Sequence, residues 1–322
     1  MNPIADALSS LVLGPESRFD NLTVVPLLGA PAPASTYDTL DVALAGDTLV
    51  ITEVTESGHV PEIRLLNRGD RPVFIMEGEE LIGAKQNRTV NLSILVPAQA
   101  DAIASVTCVE VGRWRTRSAR FDSSPRTHFA EGRAAKSRQV TQSLIVDGVA
   151  RADQAQVWDA IALKSERLRT SSDTGAMADI FASHASGVED YVAAVRPSDD
   201  QVGAVLLIDD KCVGLDVFDT AHTLKALLPK IVRGYALDAI DRRVTRSGGD
   251  GRGIAPTVAG VHDGESGLKQ RVHAFVEAVV RTPPRSFPTV GLGESWRALA
   301  PDVCASALIL DGRPVHISAF RG

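Results

Sequence analysis

From Leu22 to about Glu110, short runs rich in Val, Ile and Leu alternate with Gly, Asn, Asp and Pro: LTVVPLL, LVITEV, EIRLL, VFIMEGEEL, TVNLSILV and AIASVTCVE. Runs of this length and composition, bounded by turn formers, predict strands and a β-rich N-terminal half. Pro26 has no N–H to give a ladder, which limits the first run to an edge position or a strand end. The turn sequence NRGD at 67–70 makes a hairpin of EIRLL and VFIMEGEEL the simplest topology.

In the second half the period becomes helical. Met177, Ile180, Phe181, Val188, Tyr191, Val192 and Val195 recur at three and four, predicting an amphipathic helix over 173–195 with Ser172 or Asp173 as N-cap. Trp158, Ile161 and Leu168 suggest another at 153–169, and Leu268, Val272, Phe275, Val276 and Val279 mark a late one. Leu224, Leu227, Leu228, Ile231, Val232 and Tyr235 mark one more, which Pro229 must kink or restart. SGGDGRG at 247–253 reads as a flexible loop, and the N-terminal MNPIADALSSLVL as a short amphipathic helix.

One internal similarity stands out. AVLLIDDKCVGLDVF from Ala204 and SALILDGRPVHISAF from Ser306 share strand, Asp-containing two-residue turn, strand and closing Phe at an offset of 102 residues. Both read as β-hairpins able to pair in one sheet. The fold class is α+β: antiparallel sheet in the N-terminal half, then amphipathic helices packed with two similar hairpins. Between Val111 and Arg138 eight Lys or Arg face only Asp122 and Glu131, with little apolar periodicity, which reads as a long surface loop with at most one short helix. The expected division is a β-rich unit at 1–110, a basic connection at 111–152 and an α+β unit at 153–322, with one continuous domain as the alternative.

The bulk charge narrows the partners. With 40 acidic and 34 basic residues the net charge is -6, which gives no overall field for nucleic acid or an anionic membrane, and no apolar run approaches the ~18 residues of a membrane span. Cys108, Cys212 and Cys304 are isolated, in apolar strand-like runs and outside any C-x-x-C, as buried thiols of a reducing, cytoplasmic protein would be. The seven histidines form no H-x-H or H-E-x-x-H pattern, so no metal ligands are assigned, and His184 falls on an apolar stripe as a core residue.

The densest chemistry is Glu77 to Arg88. Glu77, Glu79, Glu80, Gly78, Gly83, an amide pair ending in Asn87, and the cations Lys85 and Arg88 all follow the apolar run VFIM. Carboxylates leaving a buried strand must find a partner or a ligand. One reading is a ligand pocket, with Glu79 or Glu80 accepting from ribose-type hydroxyls and Lys85 and Arg88 holding phosphate. The other is a solvated turn at Gly83–Asn87, with Glu77 and Glu80 in rim ion pairs to Lys85 and Arg88. Nearby, Trp114 and Phe121 are interleaved with Arg113, Arg115, Arg117 and Arg120, which suits stacking on a base beside a phosphate, an oligomer contact or a solvated face.

Several of these segments resemble the ARPP-1 family, the domain associated with ADP-ribosylglycohydrolase and rhodanese-phosphatase-like proteins. They are SGHVPEIRLLNRGDRPVFIMEGEELIGAKQNRTVNLSILVPA, CVEVGRW with SARFDSS, QVGAVLLIDDKCVGLDVF, LPKIVRGYALDAI, and FPTVGLGES with HISAF. GEELIGAKQNR is the most specific. The resemblance implies a role in ADP-ribose or NAD-linked metabolism and a small-molecule nucleotide as partner. If the protein is a hydrolase, Glu79 or Glu80 is the candidate general base, with no firm cofactor and magnesium left open. The competing expectation is a non-catalytic scaffold or homo-oligomer in which the Glu-rich hairpin and the Arg-rich segment meet between subunits.

Overall fold

The computed structural model describes residues 2–30, 35–55, 61–247 and 265–322, so most of the loop expected at 247–253 lies outside the described residues. Both predicted hairpins are present, Gln201–Ile208 with Lys211–Phe218 and Val303–Leu310 with Arg313–Arg321, and they share one sheet. Their turns use Asp209 and Asp210 at φ 51° and 60°, and Asp311 and Gly312 at φ 50° and 76°. Two successive positive-φ residues follow the right-handed twist of the flanking strands. Lys211–Phe218 pairs with Arg313–Arg321 in the register Gly214 to Phe320, Asp216 to Ser318 and Phe218 to His316. Because the hairpins match at an offset of 102, this register is that of a local two-fold axis between Asp216 and Ser318.

The sheet extends to nine strands, all antiparallel. Glu294–Leu299 and Arg285–Pro288 continue one side, and Leu22–Leu28 continues the other with Val12–Leu13 and Ser17–Phe19 beside it. Strand Leu22–Leu28 is therefore not at the edge, which corrects one expectation for Pro26. The Pro26 carbonyl accepts from the Gly14 N–H at 2.9 Å, so its missing donor faces the break between Val12–Leu13 and Ser17–Phe19, where no ladder partner is lost. The same strand pairs with Gln201–Ile208, so the large sheet crosses the boundary expected at residue 110.

The rest of the N-terminal half forms a second, smaller β layer. Phe121–Thr127, Glu79–Gly83, Arg88–Val90, Ala100–Cys108, Glu62–Asn67 and Leu49–Glu53 make a six-stranded sheet, and Ile94–Val96, Val73–Ile75 and Asp38–Thr39 a three-stranded one. Glu62–Asn67 pairs with Leu49–Glu53 and Ala100–Cys108, while Val73–Ile75 pairs with Ile94–Val96. The hairpin expected from NRGD is thus replaced by two different pairings. Val73, Phe74 and Ile75 are all buried, so the run carries no alternation that would have indicated its partner.

Helices fill both faces of the large sheet. Helix Glu265–Arg281 packs Leu268, Val272, Phe275 and Val279 on one face, and Ala221–Ser247 packs Leu224, Leu228, Ile231 and Tyr235 on the other. The latter runs unbroken through Pro229, which excludes a restart there. Helix Gln154–Arg167 forms as its pattern predicts, with Asp153 as N-cap. The helix expected over 173–195 is two, Met177–Ser183 and Ala185–Ala193, interrupted at His184, whose buried ring lies 3.2 Å from the Leu168 carbonyl. Among the described residues no helix is long and apolar enough to cross a membrane, and all three cysteines are buried.

Of the stretch expected to be a basic surface loop, 111–120 is irregular and largely exposed, but the rest is strand Phe121–Thr127 and the start of the 18-residue helix Ala130–Asp147. That helix buries Arg133, Lys136, Ser137 and Thr141 beside Val140 and Leu144, so its inward face is charged and leaves no apolar period to read. Arg133 grips Asp216 through two nitrogens at 3.1 and 2.8 Å. Asp216 lies 3.2 Å from His316 Nε2, His316 Nδ1 lies 2.8 Å from Ser93 Oγ, and that hydroxyl accepts the Glu77 N–H at 3.0 Å. One buried chain of polar contacts therefore joins the helix, the centre of the large sheet and the smaller β layer.

Lys136 donates to the Val90 carbonyl at 2.6 Å and Thr89 Oγ1 at 3.1 Å, and has no carboxylate at ion-pair distance among the described residues. Burial lowers its pKa to about 7, against the pull of Glu77 and with the help of Arg133 and Arg297. An unfolded lysine keeps its proton to ~10.4, so between about pH 7 and 10 the unfolded chain binds more protons and stability rises with pH. Urea unfolding at about pH 7, 8 and 9 should show that rise, reduced in Lys136→Met by up to ~1.4 kcal/mol per pH unit. Equal slopes in the two proteins would refute the assignment.

Candidate functional site

The segment that carries most of the charged chemistry is a turn followed by a hairpin. Strand Val73–Ile75 ends, the chain turns at Glu77 and Gly78, and Glu79–Gly83 then pairs antiparallel with Arg88–Val90 through Glu80 to Thr89 and Leu81 to Arg88. Gly78 sits at φ 91°, and a Cβ there would strike the Arg133 side chain. The hairpin turn is not the solvated one considered from sequence. Gly83, Ala84, Gln86 and Asn87 are buried, and Lys85 alone is partly exposed.

The three carboxylates of this segment diverge. Glu77 Oε2 accepts from Arg297 Nη2 and Ser306 Oγ, both at 3.0 Å, in the large sheet. Glu79 accepts from Lys230 Nζ and from the Met76 N–H, each at 2.7 Å, and the same ammonium reaches Asp41 at 2.7 Å. Glu80 Oε2 accepts from Arg126 Nε at 2.7 Å and Ser124 Oγ at 2.8 Å. None pairs with Lys85 or Arg88, so the expected rim ion pairs are absent, and Glu79 and Glu80 are held by different cations, Lys230 and Arg126. Burial alone would raise the Glu77 pKa, but Arg297, Lys136 and Arg133 bring it below the usual range. For Glu80 burial outweighs Arg126 and the pKa is raised.

A second knot holds the hairpin turn against the segment after strand Ala100–Cys108. The Glu110 carboxylate accepts from Arg113 Nε and Nη2 at 2.8 and 2.7 Å, from the Asn87 N–H at 3.1 Å and from Thr174 Oγ1 at 3.0 Å. Burial pushes its pKa up, but these donors prevail and hold it below the usual range. Arg113 also donates to the carbonyls of Ala84 and Gly83 at 2.9 and 3.2 Å and to Asn87 Oδ1 at 3.0 Å. Its fork is spent on the turn, so Arg113 and Asn87, candidates for ligand contact by sequence, are framework residues here. Gln86 joins them by accepting from the Cys108 thiol at 3.0 Å and donating to the Glu110 carbonyl at 2.8 Å.

What the knot presents outward is an aromatic ring with Lys85 beside it and the fully buried Arg88 behind. Trp114 is 48% exposed, with Lys85 Nζ 5.5 Å and the Arg88 guanidinium 6.0 Å from its ring centre. Glu53 completes the group, accepting from Arg88 Nη2 at 3.2 Å and from the Lys85 N–H at 3.3 Å. Arg115 and Arg117 are exposed, and neither they nor Lys85 form an ion pair among the described residues. Gly83, at φ 116°, allows the Ser118–Arg120 stretch to close on the turn, where a Cβ would strike Ser118 and the Arg120 carbonyl. Sequence reasoning did not single out Glu53. Its one signal is an acid at the end of the strand-like run LVITEV. Among the described residues no group of three or more His, Cys, Asp or Glu could hold a metal ion.

Arg113→Lys keeps the charge but cannot reproduce the planar fork. The Gly83, Ala84 and Asn87 acceptors that the fork now satisfies would be left short of donors, which should cost about 1–3 kcal/mol in urea unfolding. A variant as stable as the parent would show that the knot is not what holds the turn.

The model of the ARG and Rhodanese-Phosphatase-superfamily-associated Protein domain, ARPP-1, matches residues 10–320. Comparison with curated proteins and with solved structures returned no match. The matched span takes in both β layers, the buried carboxylates and the Trp114 face, and the chain belongs to the ARPP-1 family.

Proposed function

We propose that the protein binds ADP-ribose or a related NAD-derived nucleotide at the face formed by Lys85, Trp114 and Glu53, with the buried Arg88 guanidinium behind it. The observation that carries this reading is the half-exposed Trp114 ring, held by buried framework with a lysine that has no carboxylate partner at its side. An adenine stacked on such a ring contributes about 1–3 kcal/mol. Lys85, with Arg115 and Arg117 on the same exposed segment, supplies charge-assisted hydrogen bonds for a pyrophosphate, and Glu53 an acceptor for ribose hydroxyls. Membership of the ARPP-1 family supports a nucleotide of this class.

In this reading Glu77, Glu79 and Glu80 act on the ligand only by holding the hairpin that carries Lys85, since each is enclosed with its own cation. No hydrolytic step is assigned to them. The scaffold alternative needed a Glu-rich face to meet the Arg-rich one between subunits, and those carboxylates lie inside the chain.

Thermal unfolding with ADP-ribose, NAD, AMP and ribose 5-phosphate, each with and without magnesium, tests the proposal. A ligand at 100 times its Kd adds about 2.7 kcal/mol to the native state. The expected result is a clear rise in Tm with ADP-ribose that disappears in Trp114→Ala and weakens in Lys85→Ala, both unchanged in Tm without ligand. A rise that persists in Trp114→Ala would move the site elsewhere, and no rise with any of the four would reject the ligand class.

A further inference from the structure

A cleft of about 540 Å³ opens where the turn of the first repeated hairpin, the two longest helices of the second half and the end of the last strand meet. Each of these elements gives it one cation: Lys211, Arg242, Arg271 and Arg321. Of the described acids around it, those near the hairpin turn are matched, and Asp302, next to Gly322, is not. Asp210 pairs with Arg18 at 3.0 Å, Asp209 with Arg246 at 2.9 Å, and Asp20 with Arg243. The side chains of Lys211, Arg242 and Arg321 make no hydrogen bond or ion pair among the described residues. A carboxylate at Gly322 and that of Asp302, counted against these three, still leave one cation in excess.

The wall beside them is Cys212, whose thiol lies 3.6 Å from the Arg271 carbonyl. Burial pushes that thiol up to about 11, although Arg321 and Arg271 pull it down, so it stays protonated and offers no nucleophile. The chemistry on offer is charge recognition. Like charges held around one concavity repel, and a multiply charged anion relieves that repulsion. Four cations converging from four elements on one cleft do not make the extended stripe a nucleic-acid backbone requires. The volume falls within the ~300–1,000 Å³ of small-molecule sites. We propose that this cleft is a second ligand site, which binds a small molecule carrying two or more phosphate charges, independently of the Trp114 face.

Calorimetric titration with inorganic pyrophosphate tests this in the Lys85→Ala/Trp114→Ala protein, so that the first site cannot contribute. Pyrophosphate should bind that protein, and adding Arg242→Gln and Arg321→Gln should weaken binding about tenfold or more. Both arginines are exposed, and unchanged Tm values would show that the fold is intact. Lys225→Gln, at an exposed lysine outside the cleft, should leave the affinity unchanged. Pyrophosphate binding that survives the double arginine change, or none in the starting protein, would overturn the proposal. Failure of ADP-ribose to bind at Trp114 would leave either result unaffected.

Discussion

The Arg133–Asp216 ion pair is the contact on which the rest of the architecture rests. Both side chains are essentially sealed from solvent, at 1% exposure each, and the pair sits at the middle of the nine-stranded sheet. Taking such charges out of water costs several kcal/mol per ion, a cost offset only when geometry and surrounding hydrogen bonds are complete. Completion here recruits His316, Ser93 and the Glu77 backbone, and Glu77 in turn holds Arg297. The relative position of helix, large sheet and small β layer is thus set by a polar chain with few alternative arrangements. Apolar contact alone tolerates sliding far better.

That organisation explains which elements could be read from the sequence. Helix Gln154–Arg167 and both repeated hairpins were legible because they bury apolar side chains at the period of their own backbone. Helix Ala130–Asp147 was not, because the face it buries carries Arg133 and Lys136, and a charged inward face looks like a solvated loop. Strand Val73–Ile75 was legible as a strand but not by partner, since three consecutive buried residues name no face. His184 hid a helix break because the apolar spacing continues across it.

The site divides in the same way. Glu77 to Arg88 drew attention because charge followed a buried strand, and the structure does make it a charge centre. Its partners could not be inferred, because Lys230 is 151 residues from Glu79, Arg126 is 46 from Glu80, and Arg88 is 35 from Glu53. Nor did the net charge of -6 indicate how charge is distributed. Acids such as Glu77, Glu79, Glu80 and Glu110 are consumed inside, and what remains on the Trp114 face and in the cleft beside Cys212 is cationic. A protein acidic in sum can therefore still expose cations such as Lys85, Arg115, Arg242 and Arg321.

The local two-fold axis between Asp216 and Ser318 carries a consequence for how a doubled hairpin can be inherited. Residues on such an axis face their own counterparts across the ladder, so identical copies would have set like against like there. Two aspartates would have repelled in a dry interior and demanded a second cation where one helix brings only Arg133. Two serines would have left that guanidinium without a counter-charge. The turns can be alike, whereas the central position must be asymmetric for a single arginine to serve both halves.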